Sequence, residues 1–125
     1  MELKQLTERI YYTESDPTCD RPVLGYILGD QCSVMIDAGN SESHVKDYNY
    51  AVGKKGFKKP KYCVITHGHW DHTFGMHALD VETIAHDKTN EELERMSSWA
   101  WNNGAMKQRL IISVDIYTNY NKFKS

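Results

Sequence analysis

The residue types that could carry chemistry are concentrated in six consecutive positions, His67-Gly68-His69-Trp70-Asp71-His72. Imidazole nitrogens and a carboxylate are metal ligands by type, and together they suit zinc, iron or manganese. His67 and His69 are two residues apart, so in an extended backbone they point the same way. Asp71 and His72 follow at once, and a tight turn would aim them at the same cavity. The spacing therefore predicts one loop that supplies ligands to one or two water-activating metal ions.

An apolar segment directly precedes this histidine cluster. Tyr62–Ile65 is typical of a short buried strand, and ligands at the carboxyl end of a strand lie at a sheet edge, where α/β sites usually form. The alternative is a solvated polar loop with incidental histidines. Clustered histidines add little to a core, whereas neutral imidazole is the commonest metal ligand, so we favour the metal site.

Apolar periodicity and turn residues predict the elements that position the cluster. Their order, a leading hairpin followed by strand–helix alternation, favours an α/β fold with a mixed sheet and packed helices. The predicted strands lie in Leu6–Thr13, Val23–Leu28, Cys32–Ile36, Tyr62–Ile65 and Val81–Ala85. The predicted helices cover Glu42–Val52 (capped by Asn40 or Ser41 and stopped at Gly53), the segment from the cluster to about Leu79, and Thr89 to Ala100.

Composition limits the class of protein. The chain has 125 residues, 40% of them hydrophobic and 26% charged, which is enough for one domain with a core. Its net charge of −2 makes nucleic acid an unexpected partner. The longest apolar stretch, Val23–Ala38, is interrupted by polar residues, so we expect no membrane span. No secretory signal is evident, and three scattered cysteines favour a reducing cytoplasm, with Cys32 and Cys63 as small core residues.

Three motifs resemble those of a known family. Thr66–His72 resembles the His-x-His-x-Asp-His signature of the metallo-β-lactamase superfamily, and Val34–Gly39 resembles its first motif, an apolar strand that ends in Asp and Gly. Val81–Asp87 resembles the strand that follows the motif helix, so the resemblance covers approximately Ile10–Asp87. It implies a single partial domain over residues 1–125, the N-terminal half of an αβ/βα sandwich with its site along one sheet edge.

The resemblance also implies roles for individual residues. His67 and His69 would bind one metal ion, and Asp71, also the candidate catalytic residue, would bind a second with His72. Asp37 would lie beneath the loop as an acceptor that orients a ligand. The implied activity is hydrolysis of a small-molecule substrate by a metal-bound hydroxide. The implied cofactor is zinc, as one or two ions, with iron and manganese as alternatives.

The sequence departs from this family in its second half. The family needs a further histidine on a later strand, a bridging carboxylate and a final histidine, yet no histidine follows Asp87. Three explanations stay open: a truncated enzyme, which we favour; completion by a second copy or another chain; or a binding role without catalysis. Because half a sandwich exposes an apolar sheet face, we expect self-association or a completing chain. We expect the isolated chain to be nearly inactive.

Other candidate residues have simpler interpretations. His77 is expected to be an exposed helix residue, and His86 to make a loop hydrogen bond, although either could border the cluster. His44, early on a helix, is expected to be solvated. The lysines of Lys54–Lys61 are expected to form a solvated loop and not a phosphate-binding site.

Overall fold

The structure, a computed structural model, describes residues 1–97. Its contacts divide the chain into two units that meet between Asn90 and Glu91, and the first unit holds all the strands described here. The strands are β1 (Leu3–Gln5), β2 (Ile10–Thr13), β3 (Leu24–Leu28), β4 (Ser33–Ile36), β5 (Tyr62–Ile65) and β6 (Glu82–Ala85). The helices are α1 (Glu42–Lys54), α2 (Trp70–Thr73), a 3-10 helix (Phe74–Ala78) and α3 (Asp87–Ser97).

The strands form one mixed sheet in sequence order. Antiparallel pairs join β1 through β4, and parallel pairs join β4 to β5 and β5 to β6. Parallel neighbours require a crossover connection, which α1 supplies between β4 and β5. The predicted α/β class with a mixed sheet is confirmed, and the predicted hairpin is the β3–β4 pair.

Helix α1 packs on one face of the sheet and forms the main core with it. Ser41 caps the helix as predicted, since its hydroxyl accepts a hydrogen bond from the His44 amide at 3.2 Å. The Tyr48 hydroxyl donates to the carbonyl oxygen of Gly25 at 2.9 Å, which ties the helix to β3. Buried side chains of the helix and the sheet form this core together: Val45, Tyr48, Ala51, Val52, Tyr26, Met35 and Cys63.

The opposite face of the sheet carries two rows of apolar side chains. Because side chains alternate along a strand, the pairing register places these residues on the face away from the core. Ile10, Ile27 and Ile84 are 40%, 38% and 47% exposed. The rows are Ile10, Ile27, Val34 and Tyr62, and Tyr12, Gly25, Ile36, Val64 and Ile84. We call these residues the open sheet face.

The start of the chain differs from the prediction. Strand β1 was not predicted, because three residues carry too little periodicity to stand out. The predicted strand over Leu6–Thr13 begins only at Ile10, since the amides of Leu6 and Thr7 turn back to donate to the carbonyl oxygen of Ile10. The chain therefore uses Leu6 and Thr7 to reverse direction between β1 and β2.

The helices also differ from the prediction in their bounds. Helix α1 passes Gly53 and ends at Lys54, and the chain leaves it through Gly56, whose φ of 75° suits glycine. Helix α3 begins at Asp87, two residues before the predicted start, and its predicted extension through Ala100 lies outside the described residues. Within residues 1–97, no helix is long and apolar enough to cross a bilayer.

The cysteine prediction is half right. Cys63 is fully buried in β5, and burial raises the pKa of its thiol to about 12, as expected for a core residue. Cys32 is exposed at the end of the turn that precedes β4, so its predicted core position is wrong. The predicted strand Cys32–Ile36 begins one residue before β4, which starts at Ser33, so Cys32 lies outside the strand.

Candidate metal centre

The centre lies where two parallel strands end side by side. Strand β4 is followed by Asp37 and β5 by Thr66, and the Asp37 amide donates to the carbonyl oxygen of Val64 at 2.8 Å. Carboxyl ends of parallel strands share one sheet edge, the usual place for a site in α/β proteins. The φ angle of Asp37 is 63°, a left-handed backbone conformation that turns the chain sharply out of β4.

The carboxylate of Asp37 is buried and fully engaged. Its Oδ2 lies 2.7 Å from Nδ1 of His72. Its Oδ1 accepts from the Thr66 amide at 2.8 Å, and the Thr66 hydroxyl lies 3.0 Å from Oδ1 and 2.8 Å from Oδ2. Thr66 Oγ1 in turn lies 2.8 Å from Nδ1 of His67. One carboxylate thus contacts one cluster histidine directly and a second through a hydroxyl.

The histidine cluster converges on a small volume. The ring centroid of His67 lies 4.6 Å from that of His69 and 4.2 Å from that of His72. One ligand atom each from Asp37, His67 and His72 lie within 4.8 Å of one another. Asp71 joins this group through its Oδ2, 3.5 Å from Nε2 of His72. The structure therefore brings together Asp37, His67 and His72, and places His69 beside the ring of His67 and Asp71 beside that of His72.

Asp37 is better suited to orienting ligands than to being one. Both of its oxygens already accept hydrogen bonds from Thr66 or His72, and its side chain is only 7% exposed. Asp71 is more open, with a side chain 29% exposed, and remains available to an ion.

Electrostatics at the site follow from the same contacts. Burial alone would raise the pKa of Asp37, but hydrogen bonds from His72 and Thr66 outweigh it and hold that pKa below its ordinary value. The hydrogen bond to Asp37, opposed by burial and aided by the charge of Asp71, raises the pKa of His72. In the Asp37–His72 pair, these contacts therefore favour the negatively charged form of Asp37.

The backbone directly after Asp37 is hydrogen-bonded to the segment that carries the histidine cluster. The Ala38 amide donates to the carbonyl oxygen of His72 at 2.9 Å, and the Gly75 amide donates to that of Gly39 at 3.0 Å. A Cβ on Gly75 would lie 2.0 Å from the Ala38 carbonyl oxygen, so only glycine fits there. This close approach splits the predicted helix over the cluster to Leu79 into α2 and the 3-10 helix.

His44 lies against the loop that follows β4, and its environment differs from the prediction. It was expected to be solvated, yet it is fully buried, and its Nδ1 accepts a hydrogen bond from the Asn40 amide at 3.3 Å. Its Nε2 has no hydrogen-bond partner within residues 1–97. Burial, with smaller effects of nearby charges, lowers its pKa to about 4. A polar residue early in a helix gave no sign that this turn of α1 faces the loop.

The remaining histidines lie outside the convergent group. His77 is exposed, and its Nδ1 contacts the carbonyl oxygen of Phe74 at 2.7 Å, as expected for a helix residue. His86 is exposed, and its Nδ1 accepts from the Lys88 amide at 3.1 Å at the start of α3. The expected loop hydrogen bond of His86 is thus observed.

Sequence reasoning missed the part played by Thr66. In the motif Thr66 precedes the ligands and has no predicted role of its own. Its position, directly before His67 and directly after β5, was the available signal. What the sequence did not show is that β4 ends beside it, which brings the carboxylate of Asp37 within reach of its hydroxyl.

Comparison with known proteins agrees with this geometry. The family model described as "Metallo-beta-lactamase superfamily" matches residues 20–119. A metallo-beta-lactamase from Hirschia baltica is similar in structure, with a TM-score of 0.64 and 23% identity over 77% of this chain and 48% of that chain. FIM-1 from Pseudomonas aeruginosa, in its mono-zinc form, is also similar, with a TM-score of 0.61 and 16% identity over 74% and 45% of the two chains.

Native FEZ-1 from Legionella gormanii has a TM-score of 0.61 and 20% identity over 71% of this chain and 34% of that chain. None of the curated proteins matches the chain significantly. At these identities, the structural likeness shows the fold alone. This chain spans half or less of the length of these solved structures.

Proposed function

Because the chain belongs to the metallo-β-lactamase superfamily, we propose that it carries the first set of metal ligands of a metal-dependent hydrolase. The observation that supports this most strongly is the convergence of His67 and His72 on a buried carboxylate, with ligand atoms of the three residues within 4.8 Å. A chance group of surface histidines would not share one buried, hydrogen-bonded support. The proposal gives His67, His69, Asp71 and His72 the role of ligands, and Asp37 that of their support.

The donor set fits a divalent ion such as zinc. Imidazole nitrogen and carboxylate oxygen are both common ligands of zinc, and they also suit iron and manganese. One solved structure of similar fold is described as a mono-zinc form, which favours zinc here. When bound, such an ion acts as a Lewis acid toward water and toward the substrate. We propose one or two ions, with His67 and His69 on one side and Asp71 and His72 on the other.

Asp71 is the proposed catalytic residue among the ligands. Its carboxylate is the most accessible acid of the cluster, at 29% side-chain exposure, and it lies beside Nε2 of His72. A carboxylate so placed can hold an ion and also accept a proton from a group bound there. The proposed substrate is a small molecule with a hydrolysable carbonyl, phosphoryl or sulfuryl centre.

The alternative proposal is a binding or oligomerisation role without catalysis by this chain alone. It is supported by the open sheet face, which presents Ile10, Ile27 and Ile84 to solvent. Two protein ligands per ion leave half of a tetrahedral shell to water, which weakens binding. For either function we propose a cytoplasmic location, which the free cysteines favour.

The test of metal binding is elemental analysis of protein purified without chelators, followed by zinc titration. We expect a bound divalent metal that falls sharply when His67 and His69 are both replaced by alanine. His77→Ala is the matched control, because it removes an exposed histidine outside the convergent group. Metal-free protein that also fails to take up added zinc would overturn the proposal.

A panel of ester, thioester, lactam and phosphodiester substrates then separates the two functions. Hydrolysis by the chain, lost on Asp71→Asn, would support the hydrolase and exclude the purely binding role. Metal uptake without hydrolysis is the outcome that we expect of the isolated chain, because it carries only the first set of ligands, so it is hydrolysis that would separate the two functions.

A further inference from the structure

We propose that Thr66 is a positioning residue that fixes the tautomer of His67, so that one carboxylate, Asp37, prepares two imidazoles for a metal ion. This inference rests on the proposed function for its purpose, although its test does not require bound metal. Thr66 lies in the middle of a chain of contacts from Asp37 to His67.

The first step is to place the hydroxyl proton. The Thr66 hydroxyl has one proton, and it lies 2.8 Å from Oδ2 of Asp37 and 2.8 Å from Nδ1 of His67. An ionised carboxylate can only accept hydrogen bonds, and a hydrogen bond to a charged acceptor is stronger than one to a neutral nitrogen. The proton therefore points to Asp37, whose Oδ1 also accepts from the Thr66 amide at 2.8 Å and whose two oxygens both lie within 3.0 Å of the Thr66 hydroxyl.

The second step follows at His67. With its proton committed to Asp37, the Thr66 hydroxyl offers only lone pairs to the ring nitrogen 2.8 Å away. Nδ1 of His67 must then carry the proton of the neutral ring, and Nε2 keeps its lone pair. A neutral imidazole binds a metal ion only through the nitrogen that carries no proton, so Nε2 is the atom prepared for the ion.

The third step applies the same argument to the ring of His72. Its Nδ1 lies 2.7 Å from Oδ2 of Asp37, and a carboxylate acceptor again requires the proton on Nδ1. In its neutral form each ring therefore presents Nε2 as the nitrogen without a proton, and the two ring centroids are 4.2 Å apart. The Thr66 amide, donating to Oδ1 at 2.8 Å, holds the carboxylate in place while it serves both rings.

The inference is tested by long-range ¹H–¹⁵N NMR of the histidine rings in metal-free protein, at a pH high enough for the ¹⁵N shifts to report neutral rings at both His67 and His72. We expect Nδ1–H rings at both His67 and His72 in the wild-type chain. Thr66→Val removes the hydroxyl at nearly constant volume, and we expect the Nδ1–H population of His67 to fall while His72 stays unchanged. Thr66→Ser keeps the hydroxyl and should restore the wild-type pattern.

A second readout is zinc affinity by chelator competition, expected to fall about 10- to 100-fold in Thr66→Val and to recover in Thr66→Ser. An Nε2–H ring at His67 in the wild-type chain would overturn the inference, and this measurement does not depend on any variant folding. An unchanged Nδ1–H population of His67 in folded Thr66→Val would also overturn the inference. Wild-type protein with the expected tautomers but no zinc binding would instead overturn the proposed function and leave the hydrogen-bond relay standing.

Discussion

At Asp37 a left-handed backbone and a fully engaged carboxylate occur in the same residue. Its φ of 63° costs an ordinary side chain conformational energy, and asparagine and aspartate tolerate that region better than most residues. The conformation turns the chain out of β4 so that the carboxylate reaches Thr66 and His72. Strain at this residue is therefore associated with the placement of the metal ligands.

Asp37→Asn should weaken zinc binding while preserving the fold. Asparagine keeps the shape and tolerates the left-handed backbone, but its neutral amide is a poorer acceptor for His72 and Thr66. We expect zinc affinity to fall about 10- to 100-fold, measured by chelator competition. Asp20→Asn is the matched control, because Asp20 also has a positive φ, 54°, and lies outside the cluster. Equal affinity of the two variants would contradict the role of Asp37.

His44 should make stability depend on pH in the weakly acidic range. Its pKa falls from 6.5 to about 4 on folding, because burial disfavours the charged ring. Below pH 6.5 the unfolded chain takes up the proton first, so folding becomes less favourable as the pH falls toward 4. The charges that act on it are Arg21 and His72, which lower the pKa, and Asp47, which raises it.

The measurement for His44 is urea unfolding of the metal-free chain. Between pH 7 and pH 5 we expect His44 to account for a loss of about 2 kcal/mol in the free energy of unfolding. His44→Gln keeps polar atoms without a titrating ring, so that part of the loss should disappear. A variant whose stability falls with pH as steeply as the wild type would show that the buried ring does not titrate as inferred.

At the scale of the elements, the sequence pattern predicted those strands, turns and caps that depend only on residues close together in the sequence. The strand Tyr62–Ile65 and the β3–β4 hairpin followed from apolar runs bounded by turn residues, and the capping of α1 followed from Ser41. The split between α2 and the 3-10 helix was not predictable, because it depends on Gly75 meeting the backbone of Ala38. Likewise, the ligand types were evident in the motif, but the burial of His44 and the Thr66 contact depend on tertiary structure.

Gly75→Ala should push the 3-10 helix away from α1 and from the backbone that follows β4. A Cβ there would lie 2.0 Å from the Ala38 carbonyl oxygen and 2.7 Å from Val45 Cγ2, so backbone must move. We expect a loss of about 1–3 kcal/mol in the free energy of unfolding, together with weaker zinc binding. Urea unfolding and chelator competition measure the two effects.

Gly53→Ala is the control for this substitution. It also lies in a helix, but a Cβ there meets nothing within 4 Å. We expect it to stabilise the chain by roughly 0.5–1 kcal/mol, since alanine loses less backbone entropy than glycine in a helix. If Gly75→Ala behaved like Gly53→Ala, the close approach to Ala38 would not constrain the fold.

At the scale of the whole molecule, the open sheet face is the feature that bears on association. It presents Ile10, Ile27 and Ile84 at 38–47% exposure on the face opposite α1. Contiguous apolar surface of this kind favours burial against a partner. We propose that a second copy of the chain covers this face, the expectation that the sequence raised for a half sandwich.

Ile27→Lys should shift the chain toward monomer. Ile27 lies in the middle of its row, paired with both Ile10 and Val34, so a charge there would have to be buried in the contact. Sedimentation velocity at micromolar concentration measures the shift, and circular dichroism checks folding. Leu6→Lys is the control, since Leu6 is 67% exposed in the turn before β2 and outside the open sheet face. A well-folded wild-type monomer would contradict the proposal.

Asp37 and the four cluster side chains all lie between positions 37 and 72, in the β4–α1–β5 crossover and the turn that follows it. Such a sequence-local unit closes without waiting for distant strands, and chains emerge from the ribosome N-terminus first. This group of donors leaves the exit tunnel before the residues that follow position 72. We therefore expect that an ion captured at that moment contributes its binding energy to the folding of the nascent polypeptide.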